Sequence, residues 1–375
     1  LPREGSALPL SYAPMHGKIL SPEEFFFKTC SRLIWGRFSV RILLYAEAAR
    51  LISKSGIGTA YKQQIEALKR AGVDYTCDWE DIYDIAHVNT VGPSSRMVVE
   101  HCKKKNIPVI WHVHTTAEDI RNSFIFSNFY ARISQKWLKK LYSKADYLIF
   151  PTKYTESIIR GYGIQIPGTV LSNGIDTEIF KKNDEKAKQF LKKFGLSKPI
   201  VLSVGFPFKR KGIHDFVAVA RKMRNYTFVW LGAKITSVLP RDVREMIKNP
   251  PQNVIFPGFL DREELVGAYS AADVFFFPTY EENEGIVVLE ALSCECPVVV
   301  RDIPVYRDWL ENGVNCLKGN SNDDFEALIE KLIVDKNLSD KLSREGRKVA
   351  FERDLSNIGR ALREIYENIL GRCTS

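Results

Sequence analysis

Val274-Phe-Phe-Phe-Pro-Thr-Tyr-Glu-Glu-Asn-Glu-Gly-Ile-Val-Val-Leu-Glu-Ala-Leu292 decides the architecture of this chain. Four apolar residues, Val274 to Phe277, form a strand that Pro278 stops, and a carboxylate-rich loop then runs to Gly285. An apolar helix from Ile286 to Leu292 comes next, followed by a second strand from Pro297 to Val300. Two strands joined through a helix lie parallel, so this is one unit of an α/β fold. The alternation extends backward. Strands at Ile200 to Val204, Thr227 to Leu231 and Val254 to Phe256 interleave with helical spacing at Ile213 to Met223, Arg241 to Ile247 and Arg262 to Ala271.

An earlier series of the same kind opens at Arg41-Ile-Leu-Leu-Tyr45. It passes a loop holding Gly56 and Gly58, then a helix over Ala60 to Ala71 that ends near Gly72. Strand signals follow at Ile82 to Val88, Val109 to Val113, Tyr147 to Phe150 and Thr169 to Leu171, separated by helices at Ser94 to Lys105, Tyr130 to Ser143 and Thr155 to Tyr162. The turn Ser172-Asn-Gly-Ile-Asp176 and a Lys-rich helix over Asn183 to Phe194 separate the two series. With 375 residues the chain has room for two cores. We expect an extension over 1–39, a Rossmann-like domain over 40–180 and a second over 181–375, whose last helix is a candidate to cross back. A ligand cleft belongs between them, at the carboxyl ends of both sheets.

The carboxylate loop carries the chemistry. Glu282 and Glu290 stand eight residues apart, one at the loop edge and one inside the helix. A helix opening at Gly285 presents free N–H groups and a positive dipole end, which suit a phosphate or a sugar hydroxyl. Carboxylates before a helix often serve as caps. Glu290, however, is flanked by Leu289 and Ala291, where an unpaired charge is costly, and that favours a functional role.

This stretch resembles the E-x7-E signature of the GT-B glycosyltransferases of family 4. Ser172-Asn-Gly-Ile-Asp176, Val204-Gly205 with Lys211-Gly212, Phe256-Pro-Gly-Phe259 and His114 are similar, in order, to four further motifs of that family. Lys54-Ser-Gly-Ile-Gly58, Val88-Asn-Thr90, Glu118 to Phe124 and Val300 to Val305 look like segments of the bacterial diacylglycerol glucosyltransferases. The resemblance implies a GT-B fold with an acceptor domain first and a nucleotide-sugar domain second. It implies that Glu282 binds donor-sugar hydroxyls and Glu290 the ribose. Lys211 would neutralise the diphosphate, helped by the amides of Gly285, Ile286 and Val287, while Gly56 and Gly58 let the first loop approach the phosphate. Phe259 would line the donor site and His114 would stand beside the sugar. One departure is plain: Phe206 occupies the place where the family commonly has Arg, so Arg210 or Lys209 is expected to supply that cation. UDP-sugar is the implied co-substrate, with no tightly bound cofactor and no required divalent metal; the pair His112 and His114 is not taken as a metal site.

A net charge of +9 points to an anionic partner. From Arg121 to Lys144 there are six Lys or Arg and no Asp or Glu, interleaved with aromatic residues. Tyr130, Ile133, Trp137, Leu138 and Leu141 recur at helical spacing, flanked by Arg132, Lys136, Lys139, Lys140 and Lys144. Such a stripe either lies on an anionic membrane or faces a core with its lysines in water. The family resemblance favours the membrane, hence a lipid acceptor and a peripheral place on the cytoplasmic face. No nucleic-acid-binding pattern accompanies the charge. The seven cysteines form no C-x2-C pair and fit a reducing compartment. A transferase with a soluble acceptor, an epimerase on the same fold and an inactive nucleotide-sugar scaffold are the rival readings.

Overall fold

The computed structural model describes residues 40–373 apart from Lys54 and Val238, and the side chains of Arg132, Arg372 and Cys373 lie outside the description. The expected extension over 1–39 therefore falls outside the described residues, as does Lys54 of the first loop.

Two six-stranded sheets carry the chain. The first holds β1 (Arg41–Tyr45), β2 (Asp74–Thr76), β3 (Ile85–Val88), β4 (Val109–His112), β5 (Tyr147–Phe150) and β6 (Gly168–Val170) in the order β2-β1-β3-β4-β5-β6. The second holds β7 (Ile200–Val204), β8 (Thr227–Leu231), β9 (Val254–Gly258), β10 (Val274–Phe277), β11 (Val298–Arg301) and β12 (Leu317–Gly319) in the order β12-β11-β10-β7-β8-β9. Every pairing within both sheets is parallel. This is the GT-B architecture of two Rossmann-like sheets. Strands buried on both faces explain the unbroken runs Ile-Val-Leu-Ser-Val and Val-Phe-Phe-Phe, since a parallel sheet leaves neither side to water.

In each sheet the strand order reverses at one point, between β1 and β3 and again between β7 and β10. Loops leaving the carboxyl ends of such neighbours diverge and open a crevice. The helices covering the second sheet start where their caps dictate. Asn183 caps Asp184–Phe194, and Asp261 forms a reciprocal capping box with Glu264 at Arg262–Ala271.

The helix expected from Ala60 begins four residues earlier, at Gly56, because Ser55 caps it through the Gly58 amide. The short strand β2 gave no apolar signal, since Asp74-Tyr-Thr sits at a sheet edge. Beyond β11 lie β12 and three helices, Asn322–Val334, Lys336–Glu352 and Leu355–Cys373; the sequence reading set no bounds for them and named only the last, as a candidate to cross back to the first domain. Leu355, Ile358, Leu362, Tyr366 and Ile369 of the last helix are buried in one core with Ile42, Leu44, Tyr61, Leu68 and Ile85 of the first sheet and its helix Gly56–Arg70. Gly359 makes that contact close, because a Cβ there would collide with the Ala67 carbonyl. Arg70 clamps the same seam, 2.6 Å from Asp176 and 3.6 Å from Asp354.

Candidate active site

The crevice between β7 and β10 is assembled by glycines. Gly205 ends β7, and Gly212, at φ +78°, lies so near the Pro278 carbonyl that a Cβ would collide with it. The β7 loop is thereby pressed onto the loop that leaves β10. Lys211, closing the 3-10 turn Lys209–Lys211, donates its ammonium to Glu282 Oε1. Thr279 Oγ1 donates to that same oxygen at 2.9 Å, and Arg210 Nη1 lies 3.8 Å from it. Lys211 also stands 5.4 Å over the Phe277 ring. Burial lowers the pKa of Lys211, and the neighbouring Glu282 carboxylate opposes that shift.

Arg210 is the hinge of this cluster. Its Nη1 is 2.8 Å from Asp119 Oδ1 and donates to the Glu281 carbonyl at 2.7 Å. Its Nε donates to Ser123 Oγ at 3.0 Å, and its backbone N–H to the Asn122 carbonyl. Of the two cations considered for the place left by Phe206, only Arg210 enters the crevice. Lys209 turns outward to Asp242 at 2.9 Å and is half exposed. Phe206 itself stacks on Phe208 and meets Phe259 edge-on at 5.6 Å, an aromatic wall beside β9.

Asn283 and Glu284, to which the sequence reading gave no role, tie the loop to the other half. Asn283 Nδ2 donates to the His114 carbonyl at 2.8 Å, and its own carbonyl accepts Thr152 and Thr155 hydroxyls at 3.0 Å each. Glu284 accepts the amide and side chain of Asn173, the second residue of the Ser172-Asn-Gly turn. Tyr154 donates to Glu281 Oε2 at 3.0 Å. Burial raises Glu281 to about 7, against the Tyr154 bond, and it raises the Asp119 carboxyl as well. The spacing E-N-E inside the motif was visible; its cross-chain partners were not.

His114 lies next to this seam. Its Nε2 is 2.9 Å from Asn89 Oδ1, and its ring stacks on His112 with centroids 4.2 Å apart. Burial holds His114 near 3, so the imidazole is neutral at pH 7. Glu290 sits deeper, accepting the Tyr269 hydroxyl at 2.7 Å, and burial raises it to about 7. Gly285, at φ +94°, opens the helix Ile286–Ser293 without a side-chain cap, which leaves the first-turn amides of Ile286 and Val287 available. Gly58 has a local explanation: its amide is used by Ser55, and a Cβ would collide with the Ile52 carbonyl. Gly56 has open space around it.

The basic helix, Ser127–Tyr142, divides its apolar stripe between two surroundings. Leu138 and Leu141 are fully buried in the first core, and Trp137 packs against it with its indole N–H donated to the Val91 carbonyl at 2.7 Å. The stripe thus turns inward at these positions, because the helix has a sheet to cover. Lys144 is drawn to Glu100 at 3.2 Å. Exposed apolar residues collect at the other end, in Phe124, Ile125, Phe126, Phe129, Tyr130 and Ile133, with Lys136, Lys139 and Lys140 open to solvent behind them. The Arg132 side chain lies outside the description.

Two parallel six-stranded sheets with cations and carboxylates meeting at a switch-point crevice define a protein of the GT-B class. The chain belongs to the glycosyltransferases of family 4: residues 79–179 match the family "Glycosyltransferase Family 4" and residues 184–349 match "Glycosyl transferases group 1". It is 41% identical over 334 residues to a processive diacylglycerol alpha-glucosyltransferase of Acholeplasma laidlawii, covering 88% of this chain and 99% of that protein. Identity to an alpha-galactosylglucosyldiacylglycerol synthase of Streptococcus pneumoniae is 26%, across 74% of this chain and 77% of the relative. Among solved structures, Anabaena HepE, crystallised with UDP and glucose, superposes with a TM-score of 0.71 at 15% identity, over 88% of this chain and 100% of HepE. The chain is accordingly a glycosyltransferase.

Proposed function

We propose that this enzyme moves glucose from UDP-glucose to the free hydroxyl of a membrane lipid such as 1,2-diacylglycerol, with retention at the anomeric carbon. The observation that carries the reading is the buried meeting of Lys211, Arg210 and Glu282 at the switch point of the second sheet. That meeting occurs in a chain 41% identical to a diacylglycerol glucosyltransferase.

Departure of a nucleoside diphosphate builds negative charge on its phosphates. Lys211, Arg210 and the open amides of Ile286 and Val287 stand ready to receive it, and fixed charges in a dry site stabilise such a transition state strongly. In the arrangement described here Lys211 is bound to Glu282, so an arriving donor replaces one contact with two. Lys211 turns to the diphosphate, and Glu282 is released to accept hexose hydroxyls. Glu290 takes the ribose from deeper in the crevice, and the wall of Phe206, Phe208 and Phe259 suits a planar base. Neutral His114 contributes a polar but uncharged neighbour for the sugar. The acceptor hydroxyl attacks from the face the diphosphate leaves, and the departing phosphate takes its proton.

The lipid reaches this site across the exposed tip that begins one residue beyond Ser123, itself bonded to Arg210. Phe126 is held at φ +66° and is 75% exposed, a costly backbone for an aromatic residue facing water. Aromatic residues at the tip and lysines behind suit an anionic bilayer surface, each nearby cation contributing about 1 kcal/mol. No helix among the described residues is long and apolar enough to cross a membrane. We place the enzyme at the cytoplasmic face, bound peripherally.

The test is a panel of nucleotide hexoses assayed against diacylglycerol in mixed micelles containing anionic lipid, with the product's anomeric proton read by NMR. We expect an α-glucolipid from UDP-glucose. Transfer only to soluble acceptors, or conversion of UDP-glucose to its epimer without acceptor, would overturn the reading.

A further inference from the structure

The crevice has a third wall that the chemistry above does not use. After β11 the chain makes the 3-10 turn Pro304–Tyr306, which brings the Tyr306 ring edge-on to Trp309 at 5.6 Å. Tyr306 is completely buried, and its hydroxyl has no hydrogen-bond partner. That oxygen lies only 3.1 Å from where a Cβ on Gly285 would stand, at the mouth of the helix Ile286–Ser293. The charges of Glu282, Arg210 and Glu281 all act on it. Glu281 Oε1, next to Glu282 in the chain, is likewise buried without a partner.

A buried hydroxyl with no partner destabilises a fold, and phenylalanine would keep the ring while removing the cost. The oxygen therefore answers to something that arrives. Ionised Glu282 can only accept hydrogen bonds, whereas a phenol can accept one and donate one. Together they can hold a sugar hydroxyl by both its proton and its lone pair.

We propose that Tyr306 is a specificity residue, its hydroxyl hydrogen-bonding a hydroxyl of the donor hexose held by Glu282. The inference rests on the nucleotide-hexose reading above. Its test is Tyr306→Phe, with UDP-glucose and UDP titrated separately by calorimetry on the full chain. We expect UDP-glucose to bind roughly three- to tenfold more weakly, the loss of one neutral hydrogen bond, with UDP affinity unchanged and the melting temperature equal or higher. An unchanged ratio of UDP-glucose to UDP affinity overturns the inference and leaves the reading intact. A lower melting temperature or loss of folding shows the hydroxyl to be structural and overturns it too. Wild-type protein that binds neither ligand sinks the reading and the inference with it.

Discussion

The two halves put opposite chemistry into their parallel sheets, one at its switch point and the other one strand away from it. In the second sheet the crevice between β7 and β10 is dense with charge, Lys211, Arg210, Glu282 and Glu281 lying within reach of one another. In the first, the strands β3 and β4 carry a buried ladder of neutral rings. His87 stacks on His112 at 5.4 Å and His112 on His114 at 4.2 Å, with Gln64, Asn89 and Tyr366 bonded to their edges. One half thus gathers charge at its switch-point crevice, and the other buries polar rings that carry no charge. On the proposed reading the difference suits a transferase, where the charged half holds the diphosphate and the hexose and the neutral half offers an uncharged wall to the sugar and the acceptor alcohol.

The largest effect should come from breaking the charged side. Lys211→Met removes the cation while keeping most of the packing over Phe277, and we expect kcat to fall about 10²- to 10³-fold, the usual loss of a positioned transition-state contact. His114→Gln, on the neutral side, should cost far less in kcat, since it removes no charge. Steady-state rates for the two variants decide the matter, and equal losses would erase the distinction between the halves.

That distinction was only half legible in the sequence. Glu282, Lys211 and Arg210 could be read because a strand-loop-helix unit fixes where a loop carboxylate lies, and because the family's spacing joins the two loops. Asn283 and Glu284 lay inside the same motif, yet their partners Thr152, Thr155 and Asn173 sit over 100 residues away, a separation that periodicity does not encode. Tyr306 gave no signal at all, because a tyrosine in an apolar run reads as core until its oxygen is seen to lack a partner. The last helix was read only as a candidate to cross back, without bounds, for a related reason: an amphipathic pattern shows that a face is covered, never by which domain.

Acid should separate the halves next. Burial holds His87 and His114 near 3, well below the ordinary 6.5, so the unfolded chain binds more protons than the folded one between those values. Stability from the neutral ladder is full above about pH 6.5 and is lost as pH falls toward 3. Glu281 and Glu290 run the other way: both are raised to about 7, so their carboxyl burial favours the folded state as pH falls from 7 toward 4.5. Amide exchange corrected for intrinsic rates should show β3 and β4 losing protection between pH 7.5 and 5.5, by up to about tenfold per histidine. The helix Ile286–Ser293 should hold or gain protection. Uniform change across both sheets would mean the histidines are not kept neutral by burial.

The smallest effects test the basic helix, where one apolar stripe serves two purposes. Phe126 and Phe129 are exposed at its start, whereas Trp137 is anchored to Val91 two turns on. Moving each phenylalanine into lipid is worth on the order of 1 kcal/mol or more. The double variant Phe126→Ser, Phe129→Ser should therefore partition roughly thirtyfold less onto anionic vesicles, with its melting temperature unchanged. Trp137→Phe should do the reverse, losing about 1 kcal/mol of stability with its hydrogen bond while sedimenting with vesicles as the wild type does. Lysines 136, 139 and 140 are common to both variants, so salt dependence should be the same in each and cannot account for a difference. If the two variants weaken vesicle binding equally, the stripe faces lipid along its whole length and the inward turn at Trp137 does not persist at the membrane.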